Sequence, residues 1–246
     1  MAGLTRPGAG DCHVWWAPVR PSVASMVQLL DDQERTRLAR MSRPADRNRF
    51  STAHCLLRIL AARYLQESAE HLVIVRSCGQ CGGPHGKPRV RARHGRALEV
   101  SLSHTADRVV VAVGDAATGV DIERVRPLKN LDRIAAATLS AAETRQLYRV
   151  PAAERAETLL AHWTRKEAVL KSVGCGLVVA PRDLVVSGPG EPPQVVMWPE
   201  EVPRGPIRLR MLSSPLGAGY VGAAALAGSG DIALWERDGA EIMEQL

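Results

Sequence analysis

Lysine is almost missing from this chain: of its 32 basic residues, 28 are arginine and only Lys87, Lys129, Lys166 and Lys171 are lysine. Aromatics are also scarce. One phenylalanine and three tyrosines leave little with which to build the stacking platforms that read single-stranded nucleic acid. The five cysteines, Cys12, Cys55, Cys78, Cys81 and Cys175, are an odd set, and no apolar leader precedes them, so a disulfide-stapled secreted scaffold is not expected. No apolar run approaches the roughly 18 residues that a membrane-crossing helix needs. These shortages predict a protein of the reducing cytoplasm without a membrane anchor.

What is present sets the scale. With 246 residues and 46% hydrophobic content, the chain can bury a sizeable core, as one large domain or two similar halves. A net charge of +6 calls for an acidic partner, and nucleic acid, an anionic cofactor or an acidic protein would each suit it. Periodicity predicts a strand at Cys12 to Ala17, a short helix capped near Asp31 and Asp32, a long helix from about Pro44 to Gln66, and strands near residues 72–75, 98–102 and 108–113. After a strand at 119–123 the order repeats, with helices near 130–137, 140–148 and 152–173, then strands near 184–186, 195–198, 207–212, 220–225 and 232–235. Helices followed by strands, twice, predict an α+β protein of two halves, residues 1–117 and 118–246.

Two acidic patterns stand out. On a helix through Trp163-Thr164-Arg165-Lys166-Glu167-Ala168-Val169-Leu170-Lys171, roughly 100° per residue places Leu159, Trp163, Glu167 and Leu170 in one sector that otherwise reads as core, with Lys171 at its edge and Lys166 on the flank. A half-buried carboxylate there needs a cation, several donors or a proton. In Gly119-Val120-Asp121-Ile122-Glu123, alternation sets Asp121 and Glu123 on one side of a strand, roughly 6 to 7 Å apart, where both can reach one hard cation. An ordinary half-exposed strand and an ordinary i, i+4 pair would show the same patterns.

Together with Gly86-Lys87-Pro88 and Ser103-His104, these segments resemble, in order and in approximate separation, the motifs of the Sfp-type 4′-phosphopantetheinyl transferases. Three of the four lysines fall inside them, at positions that call for a compact ammonium rather than a guanidinium fork. The resemblance covers residues 86–176. It implies a pseudo-twofold monomer with its active site at the seam between halves, moving 4′-phosphopantetheine from coenzyme A to a serine of apo acyl or peptidyl carrier proteins of secondary metabolism, with Mg2+. Carried over by motif, Asp121, Glu123 and Glu167 hold the metal, and Glu167 is also the base for the carrier serine. Lys171 neutralises the departing phosphate, while Lys87, Ser103 and His104 contact the nucleotide. Relatives commonly grip the 3′-phosphate with an arginine early in the long helix; His54 stands there instead, and Arg37, Arg47, Arg49 or His54 itself is expected to take that task.

A rival reading starts from Cys78, Cys81 and His85, three soft ligands with zinc-knuckle-like spacing in a basic chain, as in a nucleic-acid-binding protein. No second Cys-x-x-Cys or His pair follows at finger spacing, and the acids fall where a phosphate groove without metal would reject them.

Overall fold

Strand β1 (Asp11–Pro18) is buried on both faces, and the rest of the fold is built outward from it. The computed structural model describes residues 3–76, 82–83, 86–175, 179–200, 202, 205–213 and 217–244. Two short helices follow, α1 (Ala24–Leu29) and α2 (Asp32–Ala39). Helix α2 starts at a reciprocal cap in which the Asp31 side chain accepts from Glu34 N and the Glu34 side chain accepts from Asp31 N. Helix α3 (Pro44–Leu65) opens on a proline, whose missing N–H costs nothing in a first turn, and closes at Gln66 in the left-handed region, φ 53°.

Four strands then run as an antiparallel meander: β2 (Val73–Arg76), β3 (Pro88–Arg91), β4 (Ala97–Thr105) and β5 (Arg108–Gly114). The last of these turns back onto β1, giving the order β1-β5-β4-β3-β2. Beyond residue 117 the wiring recurs. Strand β6 (Thr118–Arg124) leads through α4 (Leu131–Thr138) and α5 (Ala141–Arg149) into the long α6 (Arg155–Val173). A small hairpin, β7 (Val185–Val186) with β8 (Val195–Met197), precedes β9 (Ile207–Met211) and β10 (Tyr220–Ala227). The second sheet has the order β6-β10-β9, the counterpart of β1-β5-β4, and both are antiparallel. Strand β11 (Ala233–Asp238) then crosses back to pair in parallel with β1, and α7 (Ala240–Met243) packs Ile242 and Met243 into the core beneath α3. The chain's last two elements thus belong spatially to the first half.

Alternation along the strands decides the layering. Val109, Val111 and Val113 face the α3 core, whereas Val110 and Ala112 meet Val120, Ile122, Ala224 and Leu226 of the second sheet. Ala223 and Ala225 face away, against Ala168, Val169 and Leu170 of α6. The two sheets therefore lie between two long helices. Gly119 sets how closely α6 approaches β6, because a Cβ there would stand 2.0 Å from Ala168 O and 2.5 Å from Ser172 N.

Candidate active site

That close approach delivers a charge cluster to the seam between halves. Asp121 points from β6 toward α6 and is 5% exposed. Its Oδ1 accepts from Lys171 Nζ of α6 and from Ser103 Oγ of β4, both at 2.7 Å. Lys171 Nζ also donates to Val120 O at 3.1 Å. The other oxygen, Asp121 Oδ2, is buried without a hydrogen-bond partner, and so is Glu167 Oε1 one turn before Lys171. Burial pushes the Glu167 carboxyl above its ordinary pKa; Lys171 opposes this, and the negative charges of Asp121 and Glu123 add to it. Glu123 is raised for the same first reason, against its bond from Thr105 Oγ1 at 2.9 Å and with Asp121 adding.

The three carboxylates thus share a field without forming a finished ligand set. Among the described residues, no three His, Cys, Asp or Glu side chains are gathered as a metal cluster. One oxygen of Asp121 is taken by Lys171 and Ser103, and one oxygen of Glu123 by Thr105, which draws the pair toward β4. Two buried oxygens, Asp121 Oδ2 and Glu167 Oε1, remain with no donor. A buried, unpaired carboxylate oxygen is costly, and it fits a hard cation better than any arrangement of apolar neighbours.

Beside the cluster lies a groove of about 640 Å³ lined by Arg49, His104, Thr105, Arg124 and Arg126. Arg49 and His104 were expected from the sequence; Arg124 and Arg126 were not, although they follow Glu123 directly in β6 and the turn after it. The His104 ring reaches solvent, yet the cleft walls desolvate it, and Arg49, Lys171 and His54 further lower its pKa. Arg47 points elsewhere and donates to Leu38 O at 3.0 Å.

His54 departs further from expectation. It is buried, stacked on Phe50 with ring centroids 4.0 Å apart, and bonded through Nδ1 to Glu34 Oε1 at 2.8 Å. Glu34 also accepts from Arg58 Nε at 2.7 Å and from Arg76, so His54 belongs to a packed ionic network inside the first half. No local pattern signals it, because Glu34 lies twenty residues earlier. Lys87 is set apart as well. Its Nζ donates to Glu99 Oε2 at 3.0 Å and Ser172 O at 3.1 Å, in a second groove of about 600 Å³ that shares no lining residue with the first.

The helical sector holds in part: Leu159 and Leu170 are buried and Glu167 is half-buried, as expected, but α6 does not have a single buried face. Helix α6 is buried nearly all round, and Trp163, Glu167 and Lys171 form its partly open side. Lys166, assigned to the flank, is 0% exposed and donates to Glu143 Oε2, Thr138 O and Pro181 O at 2.6, 2.8 and 3.0 Å. Arg165 is likewise buried and gives its guanidinium to the carbonyls of Ser187, Gly188, Pro189 and Glu191. Both motif cations anchor the helix on either side of Glu167.

Cys78, Cys81 and His85 lie outside the described residues. No described helix is long and apolar enough to cross a membrane.

Comparison with known proteins converges on one family. A family model described as 4′-phosphopantetheinyl transferase superfamily matches residues 117–223, and one described as 4′-phosphopantetheinyl transferase, N-terminal, matches residues 14–115. A putative 4′-phosphopantetheinyl transferase of Synechocystis is 30% identical over 167 residues, covering 67% of this chain and 65% of that protein. The 4′-phosphopantetheinyl transferase HetI of Nostoc is 25% identical over 77% of this chain and 79% of its own length. The corresponding enzyme psf-1 of Bacillus pumilus is 42% identical over 94 residues, 38% of either chain. The match to the Synechocystis protein thus spans just under two thirds of that relative. These matches give no support to a zinc-knuckle nucleic-acid-binding protein. Both halves of the chain are matched, and the seam cluster draws its residues from both, so the chain belongs to the 4′-phosphopantetheinyl transferase superfamily.

Proposed function

We propose that the protein transfers 4′-phosphopantetheine from coenzyme A to a serine of an apo acyl or peptidyl carrier protein, releasing adenosine 3′,5′-bisphosphate. One observation carries this reading: two buried, unpaired carboxylate oxygens beside an ammonium, next to an arginine-lined groove. Phosphoryl transfer asks a protein mainly for alignment and charge neutralisation, and the seam supplies both kinds of group.

The donor chemistry fits Mg2+, which takes a few carboxylates together with phosphate oxygens and water. Asp121 and Glu167 would hold it through their free oxygens, with Glu123 beside them. Bound there, the ion would polarise the pyrophosphate and offset charge on the departing phosphate.

The chain's own residues do the rest. Glu167, a carboxylate held above its ordinary pKa chiefly by burial, takes the proton of the carrier serine as that oxygen attacks the β-phosphorus. The bond from phosphorus to the bridging oxygen breaks, and its electron pair leaves on the nucleotide. Lys171 commits two of its three protons to Asp121 and Val120, which leaves one for an oxygen of the departing phosphate. Arg49, His104, Arg124 and Arg126 hold the nucleotide phosphates. The net charge of +6 favours encounter with an acidic carrier. In this reading the protein works as a cytoplasmic monomer and serves polyketide or nonribosomal peptide assembly.

Mass spectrometry of several apo carriers, after incubation with the protein, coenzyme A and Mg2+, tests the proposal. The expected result is a gain of one phosphopantetheine on at least one carrier. No gain on any carrier that a known transferase modifies would refute it.

A further inference from the structure

Strand β6 is an edge strand of its sheet, yet three amides and a carbonyl on its outer side have side-chain partners. Toward β10, the register pairs Gly119 with Ala225, Asp121 with Ala223 and Glu123 with Val221, and the bonds Val125 N to Gly219 O and Ala227 N to Ala117 O continue that odd-numbered set. The even-numbered amides face the other way. Val120 N donates to Ser101 Oγ at 3.1 Å, Ile122 N to Ser103 Oγ at 3.4 Å, and Arg124 N to Thr105 Oγ1 at 3.4 Å. All three acceptors come from β4 at every second position, so one row of hydroxyls stands where a neighbouring strand's carbonyls would be. The outward carbonyl of Val120 is taken by Lys171 Nζ.

Two of these hydroxyls also point their single proton at the cluster. Ser103 Oγ donates to Asp121 Oδ1 at 2.7 Å, and Thr105 Oγ1 donates to Glu123 Oε2 at 2.9 Å. Each therefore receives an amide of β6 and gives its proton to the carboxylate of the residue just before that amide. Backbone placement and carboxylate orientation are set by the same atom.

We infer that Ser101, Ser103 and Thr105 form a positioning ladder, which fixes β6 across the seam and aims the carboxylates of Asp121 and Glu123. Ser103 then acts on substrate through Asp121, since its only proton is committed there. Thr105, which no motif marks, is as much a part of the site as Ser103. The expected effect on metal affinity rests on the transferase reading above; the effect on the backbone does not.

Thr105→Val removes the hydroxyl and keeps the branched shape, whereas Thr105→Ser keeps the hydroxyl. In Thr105→Val, the Arg124 amide should exchange with deuterium about tenfold faster than in the parent, the loss expected for one hydrogen bond, and Thr105→Ser should stay near the parent. Mg2+ affinity, measured by calorimetry without coenzyme A, should fall about 10- to 100-fold in Thr105→Val and recover in Thr105→Ser, as for other residues that orient metal ligands. Unchanged exchange together with unchanged Mg2+ affinity in Thr105→Val overturns the inference. Should that variant fail to fold, the parent decides: the amides of Val120, Ile122 and Arg124 must be protected, and exchange at the rate of an open edge strand overturns the ladder. A parent that protects these amides yet modifies no carrier refutes the reaction and leaves the ladder standing.

Discussion

Lys166 and Lys171 stand five residues apart on α6, and each meets a carboxylate, yet the two pairs differ in what remains unpaired. Lys166 gives its protons to three acceptors, and its partner Glu143 also takes Ser140 N at 2.7 Å and Val186 N at 3.0 Å. That pair is closed and has nothing to offer a substrate. Lys171 uses two protons, and the acids around it keep Asp121 Oδ2 and Glu167 Oε1 without donors. His162 is the exception on the closed side, fully buried with both ring nitrogens unpaired. Burial holds its pKa at about 4, so the ring is neutral near pH 7, and an unpaired neutral ring costs far less than an unpaired charge. The same helix thus separates a pair that holds the fold from a pair left open for chemistry.

Removing Glu167 from the open side should have the largest effect. Glu167→Gln should cut carrier modification about 10³-fold, equivalent to about 4 kcal/mol of transition-state stabilisation, while Tm stays level or rises as buried like charge is relieved. Transfer at the parent rate would place the chemistry elsewhere. Next in size is Lys166→Met, which strands the Glu143 carboxylate and should cost about 3–5 kcal/mol in urea denaturation. Adding Glu143→Gln should return part of that loss. If Lys171→Met proved equally destabilising, the distinction between the two pairs would disappear.

Smaller effects follow from pH. The Glu167 pKa is raised on folding, so its contribution favours the folded state at low pH and is lost as pH rises through that raised value. Stability of the metal-free protein should therefore decline over this window, and Glu167→Gln should flatten the decline. In the first half the sign is opposite. Burial alone would raise the Glu34 carboxyl, but His54, Arg58 and Arg76 overcome it and hold it down at about 2. Its stabilisation is present above the ordinary 4.5 and lost as pH falls toward 2, and Glu34→Gln should blunt acid unfolding there.

Much of this was legible in the sequence where a pattern was long or doubled. Helix α3 and strand β6 announced themselves through periodicity, and the order of elements gave two similar halves before any pairing was known. Strand β3 escaped because only Val90 of its four residues is buried, too little for alternation to show. Lys166 was misplaced on the flank of α6, and Arg165 drew no notice, because a single sector presumes one buried face, whereas this helix is enclosed by the second sheet, α4, α5 and the 187–191 turn. The hydroxyls of Ser101 and Thr105 were invisible for a different reason. They answer the needs of β6 amides nineteen residues away, which no local pattern encodes.

The most direct test of the open pair is thermal unfolding with and without Mg2+, since an ion that binds only the folded state raises Tm with concentration. A rise in Tm is expected for the parent and none for the Asp121→Asn, Glu167→Gln double variant. No rise in the parent, or the same rise in both, would contradict it.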